Sequence, residues 1–260
     1  MQRLKQNQRQ ETKQLTGDEV DDFRRARVVT LKIEEVFAIE TNIPEERYVW
    51  VATDDIILEG DLCIPEGATG LVAFAHGSGS SRRSPRNRYV AQVLCGAGLA
   101  TLLFDLLTPE EEAEDIRTAE LRFNINLLAR RMIGATDWLR HNEPTSHLRL
   151  GYFGASTGAA AALVASAERA DVVGAIVSRG GRPDLATPVL NKVKAPTLLI
   201  VGGNDFPVIE MNRKALASLK IERKLVIIPG ASHLFEEPGA LEQVAELAKD
   251  WFLEHIGATT

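Results

Sequence analysis

Leu148-Arg149-Leu150-Gly151-Tyr152-Phe153-Gly154-Ala155-Ser156-Thr157-Gly158-Ala159-Ala160-Ala161-Ala162-Leu163-Val164-Ala165 is the stretch on which the fold turns. Its first third is an apolar run rich in strand formers, and its last third is alanine-rich sequence of high helix propensity. Between them stands Gly154-Ala155-Ser156-Thr157-Gly158, so the stretch reads as strand, sharp turn, helix. The G-x-S-x-G spacing has a steric reason: the serine sits in a strained backbone, and its neighbours two residues away lack side chains so that strand and helix can pack around it. Such a turn lifts the hydroxyl of Ser156 off the sheet edge as a candidate nucleophile. It also sets the unpaired amides of the helix N-terminus, Thr157 foremost, beneath an oxyanion forming on a substrate.

Upstream, Leu71-Val72-Ala73-Phe74-Ala75 is a continuous apolar run, as expected of a strand buried on both faces, and it leads into His76-Gly77-Ser78-Gly79-Ser80-Ser81. The loop lacks the lysine and spacing of a phosphate-binding P-loop. It reads instead as the second half of an oxyanion hole, with the backbone N–H of Ser78 joining that of Thr157. His76 directly precedes the turn and is expected to brace the loop rather than act as a base.

Downstream, strand-like runs end in Arg179-Gly180-Gly181-Arg182-Pro183, in Gly202-Gly203-Asn204-Asp205 and in Pro229-Gly230-Ala231-Ser232-His233. In open α/β sheets the loops leaving the carboxyl ends of strands line the site. Ser156, Asp205 and His233 then follow the chain order of nucleophile, acid and histidine associated with the hydrolase elbow. The types suit the chemistry: a serine hydroxyl attacks only when an imidazole takes its proton, and the imidazole needs a carboxylate to fix its tautomer. Asp105, Asp184 and Glu236 are the competing acids and are less well placed by order. Arg179 and Arg182, with Arg82, Arg83, Arg86 and Arg88 after the oxyanion turn, suggest a positive rim for a substrate carboxylate or phosphate, against the alternative of structural ion pairs.

The rest of the chain bounds the answer. With 260 residues, 45% of them apolar, it can bury a full core, and one domain over 26–260 is expected after a polar arm or surface helix at 1–25. β-rich runs at Arg27–Ile33, Arg47–Thr53 and Ile56–Ile64 read as an antiparallel opening to a mostly parallel sheet with helices on both faces. The acidic run Glu110-Glu111-Glu112-Ala113-Glu114-Asp115 reads as a solvated helix start, and 117–141 as one long amphipathic helix that packs on the sheet and carries no chemistry. A net charge of -6 disfavours a general nucleic-acid binder. Cys63 and Cys95 offer neither a disulfide framework nor zinc spacing and read as small buried residues. No metal or cofactor motif is present, and no segment is long and apolar enough for a membrane span. These readings imply a cytoplasmic protein acting on a small molecule, with no nucleic-acid or membrane partner and an oligomeric state that the sequence leaves open.

From about Gly60 onward the chain resembles an α/β-hydrolase of the dienelactone-hydrolase type. The resemblance is carried by His76-Gly77-Ser78-Gly79-Ser80, the elbow around Ser156, Gly202-Gly203-Asn204-Asp205 and Pro229-Gly230-Ala231-Ser232-His233. Dienelactone hydrolases proper use cysteine in the elbow, where Ser156 stands here. The resemblance therefore implies an esterase or acyl hydrolase acting through an acyl-enzyme, and maps the family's carboxylate-binding arginines onto the Arg179 and Arg182 region. An acyltransferase or peptidase on the same triad, or a binding module that has lost catalysis, are the rival expectations. Relatives of this type also occur joined to phosphoribosyltransferase domains, whose pyrophosphate-binding loop is not seen in this sequence.

Overall fold

A computed structural model describes residues 45–53 and 56–257, all within the unit Ile43–Thr260. The expected polar arm at 1–25 and the strand at Arg27–Ile33 lie outside the described residues. The chain runs through β1 (Arg47–Thr53), β2 (Ile56–Cys63), β3 (Gly70–Ala75), α1 (Pro85–Gly96), β4 (Leu99–Phe104), α2 (Pro109–Thr118), α3 (Ile125–His141), β5 (Arg149–Ala155), α4 (Thr157–Glu168), β6 (Val173–Arg179), β7 (Thr197–Gly202), α5 (Phe206–Ser218), β8 (Arg223–Ile228) and α6 (Ala240–Ile256). Short 3₁₀ segments cover Leu121–Phe123 and Pro183–Lys192.

The strands form one sheet in the order β1-β2-β4-β3-β5-β6-β7-β8. β1 pairs with β2, and β2 with β4, antiparallel; every later pairing is parallel. β3, β4 and β7 are buried along their whole length, which explains why they read as unbroken apolar runs. One apolar layer gathers α3 and α4 around Leu71, Leu102 and Tyr152; the other gathers α1 and α6 around Phe74, Phe153 and Phe252. The alanines of α4 are buried on every side, and their small side chains let the helix lie close to the sheet.

Two expectations are corrected. The helix expected over 117–141 is broken: Ala119 adopts a left-handed conformation (φ 55°) that ends α2, and α3 starts afresh with Asn124 accepting the Leu127 N–H. The apolar periodicity continues across the break, so it gave no sign of it. The cause is Asp115, whose carboxylate accepts the N–H groups of Leu121 and Arg122 and draws the chain into a turn. Cys63 and Cys95 are indeed buried, but they are joined by a disulfide that links the end of β2 to α1 across 32 residues of sequence. Neither cysteine lies in a motif, and only the packing of α1 beside β2 and β4 brings them together. Among the described residues no helix is long and apolar enough to cross a membrane.

Candidate active site

The elbow is built by exclusion of side-chain volume. A Cβ at Gly154 would lie 2.4 Å from the Ala159 Cα, and one at Gly158 would lie 2.2 Å from the Ala75 carbonyl oxygen. Both glycines are therefore required for the close approach of α4 to β5 and β3. Ser156 between them has φ 50° and ψ -119°, a strained conformation for a residue with a side chain. Its backbone is tied down on both sides: its N–H donates to the Arg179 carbonyl at 3.2 Å, and its own carbonyl accepts the Arg182 N–H at 3.1 Å. The end of β6 thus holds the turn that presents the hydroxyl.

The same end of β6 touches the histidine. A Cβ at Gly180 would lie 3.5 Å from both Cε1 and Nδ1 of His233, so the ring stands against the residue that follows the carbonyl holding Ser156. His233 Nδ1 is 2.6 Å from Asp205 Oδ2, with the carboxylate largely buried and the ring partly exposed. Asp205 occupies the N-cap position of α5, where an aspartate ordinarily accepts an N–H of the first helical turn, yet its side chain makes no such bond. The carboxylate serves the imidazole in place of the helix. The rival acids are engaged elsewhere: Asp105 with Arg82, Asp184 with Arg182, Glu236 with Arg86.

His76 braces the loop after β3. Its Nδ1 lies 3.0 Å from the Gly77 carbonyl and its Nε2 lies 3.0 Å from the Leu106 N–H, which assigns the neutral tautomer with the proton on Nδ1. Burial holds its pKa below the ordinary histidine value. Ser78 N–H donates to Thr157 Oγ1 at 2.9 Å, joining the loop to the first residue of α4. A cavity of about 400 Å³ opens on the β4 side of this loop, lined in part by Ser78, Leu106, Leu107, Ile116, Arg122 and Leu128. Gly77 borders both the cavity and the nucleophile: a Cβ there would be 3.2 Å from the Ser156 Cβ.

The arginines occupy varied surroundings. Arg182 forms a two-pronged pair with Asp184 at 2.9 and 2.8 Å, which raises its own pKa and lowers that of the aspartate. Arg82 lies among Glu59, Asp61 and Asp105, and Arg88 pairs with Glu46 and Asp61. Arg179 is buried without a carboxylate partner among the described residues, its Nη2 3.3 Å from Asn87 Oδ1 and its guanidinium over the Phe235 ring. Burial, with Arg86 nearby, lowers its pKa to about 10. Neither Arg179 nor Arg182 lines the cavity. Arg122 does, and sequence reading passed over it because it lies in the stretch taken for an uninterrupted helix. Its Nε and Nη2 are held by the side chain and carbonyl of Asp115, while Nη1 faces Gly79 in the oxyanion loop.

The strand order, the antiparallel opening and the strained turn between β5 and α4 define an α/β-hydrolase fold. The chain matches the dienelactone hydrolase family over residues 63–256 and belongs to it. A dienelactone hydrolase from Anabaena variabilis is 65% identical, superposes with a TM-score of 0.81, and is matched over 82% of this chain and 99% of that one. Est1E from Butyrivibrio proteoclasticus shares the fold at 18% identity and a TM-score of 0.68, over 80% of this chain and 98% of its own. A protein of Mycobacterium tuberculosis named "Putative phosphoribosyl transferase" is 58% identical over 80% of this chain. The chain spans about half, 46%, of that relative's length.

Proposed function

We propose that this hydrolase-family protein is a serine hydrolase that cleaves a small ester, thioester or lactone through an acyl-enzyme. In this reading Ser156 Oγ attacks the carbonyl carbon while His233 Nε2 takes its proton. Asp205 holds the ring with its proton on Nδ1 and stabilises the imidazolium that forms. The tetrahedral intermediate collapses with His233 returning the proton to the leaving oxygen or sulfur, and water then repeats the cycle on the acyl-enzyme. Thr157 and Ser78 flank the place where the oxyanion develops. No metal or cofactor enters any step.

The observation that carries the reading is the 2.6 Å bond between His233 and an aspartate that leaves its own helix uncapped to make it. For an anionic substrate we assign the recognising cation to Arg122, because its Nη1 faces Gly79 in the loop that lines the cavity while its Nε and Nη2 hold Asp115, whereas neither Arg179 nor Arg182 lines that cavity. A hydrolase is preferred to an acyltransferase or peptidase because the 65% identical relative is itself called a dienelactone hydrolase. The phosphoribosyl transferase name is not carried over, since the chain spans 46% of that relative. A cytoplasmic setting stays part of the proposal, and the Cys63–Cys95 bond pulls against it because reducing compartments open disulfides. Alkylation of the thiols in freshly lysed cells decides between the two.

The test is a panel of nitrophenyl esters with and without a terminal carboxylate, together with labelling by a fluorophosphonate. Turnover and labelling at Ser156, both abolished in Ser156→Ala with the fold intact, are expected. Undiminished hydrolysis by Ser156→Ala would refute the mechanism, and a wild-type serine inert to the probe would point to the binding-module alternative.

A further inference from the structure

Thr157 stands directly after the nucleophile at the first position of α4 and is almost wholly buried, at 2% exposure. Its hydroxyl oxygen accepts the Ser78 N–H at 2.9 Å. Ser78 N–H is the amide that sequence reading assigns to the oxyanion, and here it is spent on a side chain. A hydroxyl carries one proton and two lone pairs, so accepting from Ser78 leaves the Thr157 proton free to be donated.

Where that proton can go is narrowed by the helix. Elsewhere hydroxyls within helices give their protons to the carbonyl one turn back: Thr136 to Met132, Thr118 to Glu114, Ser218 to Lys214. Thr157 has no helical turn behind it, because the four residues before it are the end of β5 and the elbow. Among the described residues its hydroxyl donates to no acceptor, although it is buried beside the nucleophile. A buried donor without an acceptor is costly unless a ligand answers it.

Resting on the serine-hydrolase reading above, we propose that the side-chain hydroxyl of Thr157 donates to the oxyanion alongside the Thr157 N–H. Ser78 then acts through it: its N–H, bonded to Oγ1 from behind, fixes the rotamer and polarises the O–H toward the developing negative charge. Thr157 is a catalytic residue in this scheme and Ser78 a positioning one. No bond to Thr157 is made or broken. As the carbonyl carbon becomes tetrahedral the negative charge gathers on its oxygen, the hydroxyl proton shortens its contact with that oxygen, and on collapse it relaxes without being transferred.

The rival geometry makes the opposite forecast. If the threonine side chain merely occupies the Ser78 amide and must swing away before reaction, deleting the hydroxyl frees that amide and speeds turnover. Thr157→Val removes the hydroxyl while keeping the backbone N–H and the branched shape, and Thr157→Ser keeps the hydroxyl. The experiment measures kcat and KM for a nitrophenyl ester, affinity for a boronic acid that mimics the tetrahedral state, and the rate of fluorophosphonate labelling, with thermal midpoints as a check on folding. We expect Thr157→Val to lose on the order of 100-fold in kcat, with KM little changed and boronate affinity falling in parallel, and Thr157→Ser to stay within about tenfold of wild type. Thr157→Val as fast as wild type, or faster, overturns the proposal, as does a Thr157→Ser loss equal to that of valine. A wild-type protein that neither turns over esters nor reacts with the probe fails at the prior step and sinks the hydrolase reading itself.

Discussion

The loop leaving β3 and the loop leaving β6 look alike in sequence, each a glycine-rich turn carrying arginines beside the nucleophile, yet they are stabilised in opposite ways. In the β3 loop the side chains do the holding. Arg82 reaches Glu59 at 2.6 Å and Asp105 at 2.7 Å, the Arg82 N–H donates to the same Asp105 at 2.7 Å, and His76 spans from Gly77 to Leu106. In the β6 loop the backbone does most of it, beside the Arg182–Asp184 pair and a bond from the Asn212 amide to the Gly181 carbonyl. Ser156, Gly180 and Arg182 exchange main-chain bonds with Arg179, Ile200 and Ser156, while the Arg179 Nε and Nη1 and the Ser178 hydroxyl are buried without partners among the described residues. A charged residue at a strand end therefore does not announce a binding group. What it does depends on which side of the strand it leaves from, and on whether a carboxylate waits there.

The largest expected effect comes from breaking the side-chain-held loop. In Arg82→Ala, Glu59 and Asp105 would face each other with no cation between them, while Asp61 would keep Arg88. The expected loss is about 3 kcal/mol, the low end for removing one partner of a buried pair because Glu59, Asp61 and Asp105 keep some solvent contact. At this chain length that is roughly 6–12 °C in thermal midpoint. A drop under about 1 kcal/mol in urea titration would place this network with ordinary surface pairs instead.

In the β6 loop the same kind of substitution should do the reverse. Arg179→Met keeps the length of the side chain and its packing on Phe235, and removes a cation buried with two unanswered donors. Replacing such a group by an apolar one of similar shape is neutral or stabilising by about 1 kcal/mol. Destabilisation above about 2 kcal/mol would mean the guanidinium has a partner of real strength, and would blur the contrast between the loops.

These two loops also mark how far the sequence could be read. Sheet, elbow and chain order were legible because they rest on local patterns: unbroken apolar runs at β3 and β7, a glycine pair around Ser156, Asp205 and His233 each one loop past a strand. The pairing of His233 with Asp205 followed, since few acids stand at strand ends. The surroundings of Arg179 were not legible, for a different reason. β6 is buried on both faces, so its alternation carries no polarity, and nothing in Val173–Arg179 tells that the arginine shares the face of Ala175 and Val177, packed toward α1 and α6. Arg122 was missed because the apolar period runs on through the break that Asp115 creates. The disulfide was hidden in the same way, in contacts between residues that no motif connects.

The smallest effect separates the loops by pH. His76 is partly buried in the β3 loop with its pKa lowered, chiefly by loss of solvent around the ring, and no histidine occupies a corresponding place in the β6 loop. The unfolded chain takes up a proton at this residue near the ordinary value of about 6.5, whereas the folded chain resists it until lower pH. In that window the unfolded state binds more protons, so stability is full above about pH 6.5 and falls as pH drops, by at most about 1.4 kcal/mol per unit. In His76→Gln the amide can still accept the Leu106 N–H but does not titrate. The variant should start less stable at pH 7.5 and lose less on going to pH 5.5, a range that stays above the titration of most carboxylates. Parallel stability curves for the two proteins over that range would mean that His76 takes up its proton as readily folded as unfolded, and that the β3 loop does not depend on the neutral ring bridging Gly77 and Leu106.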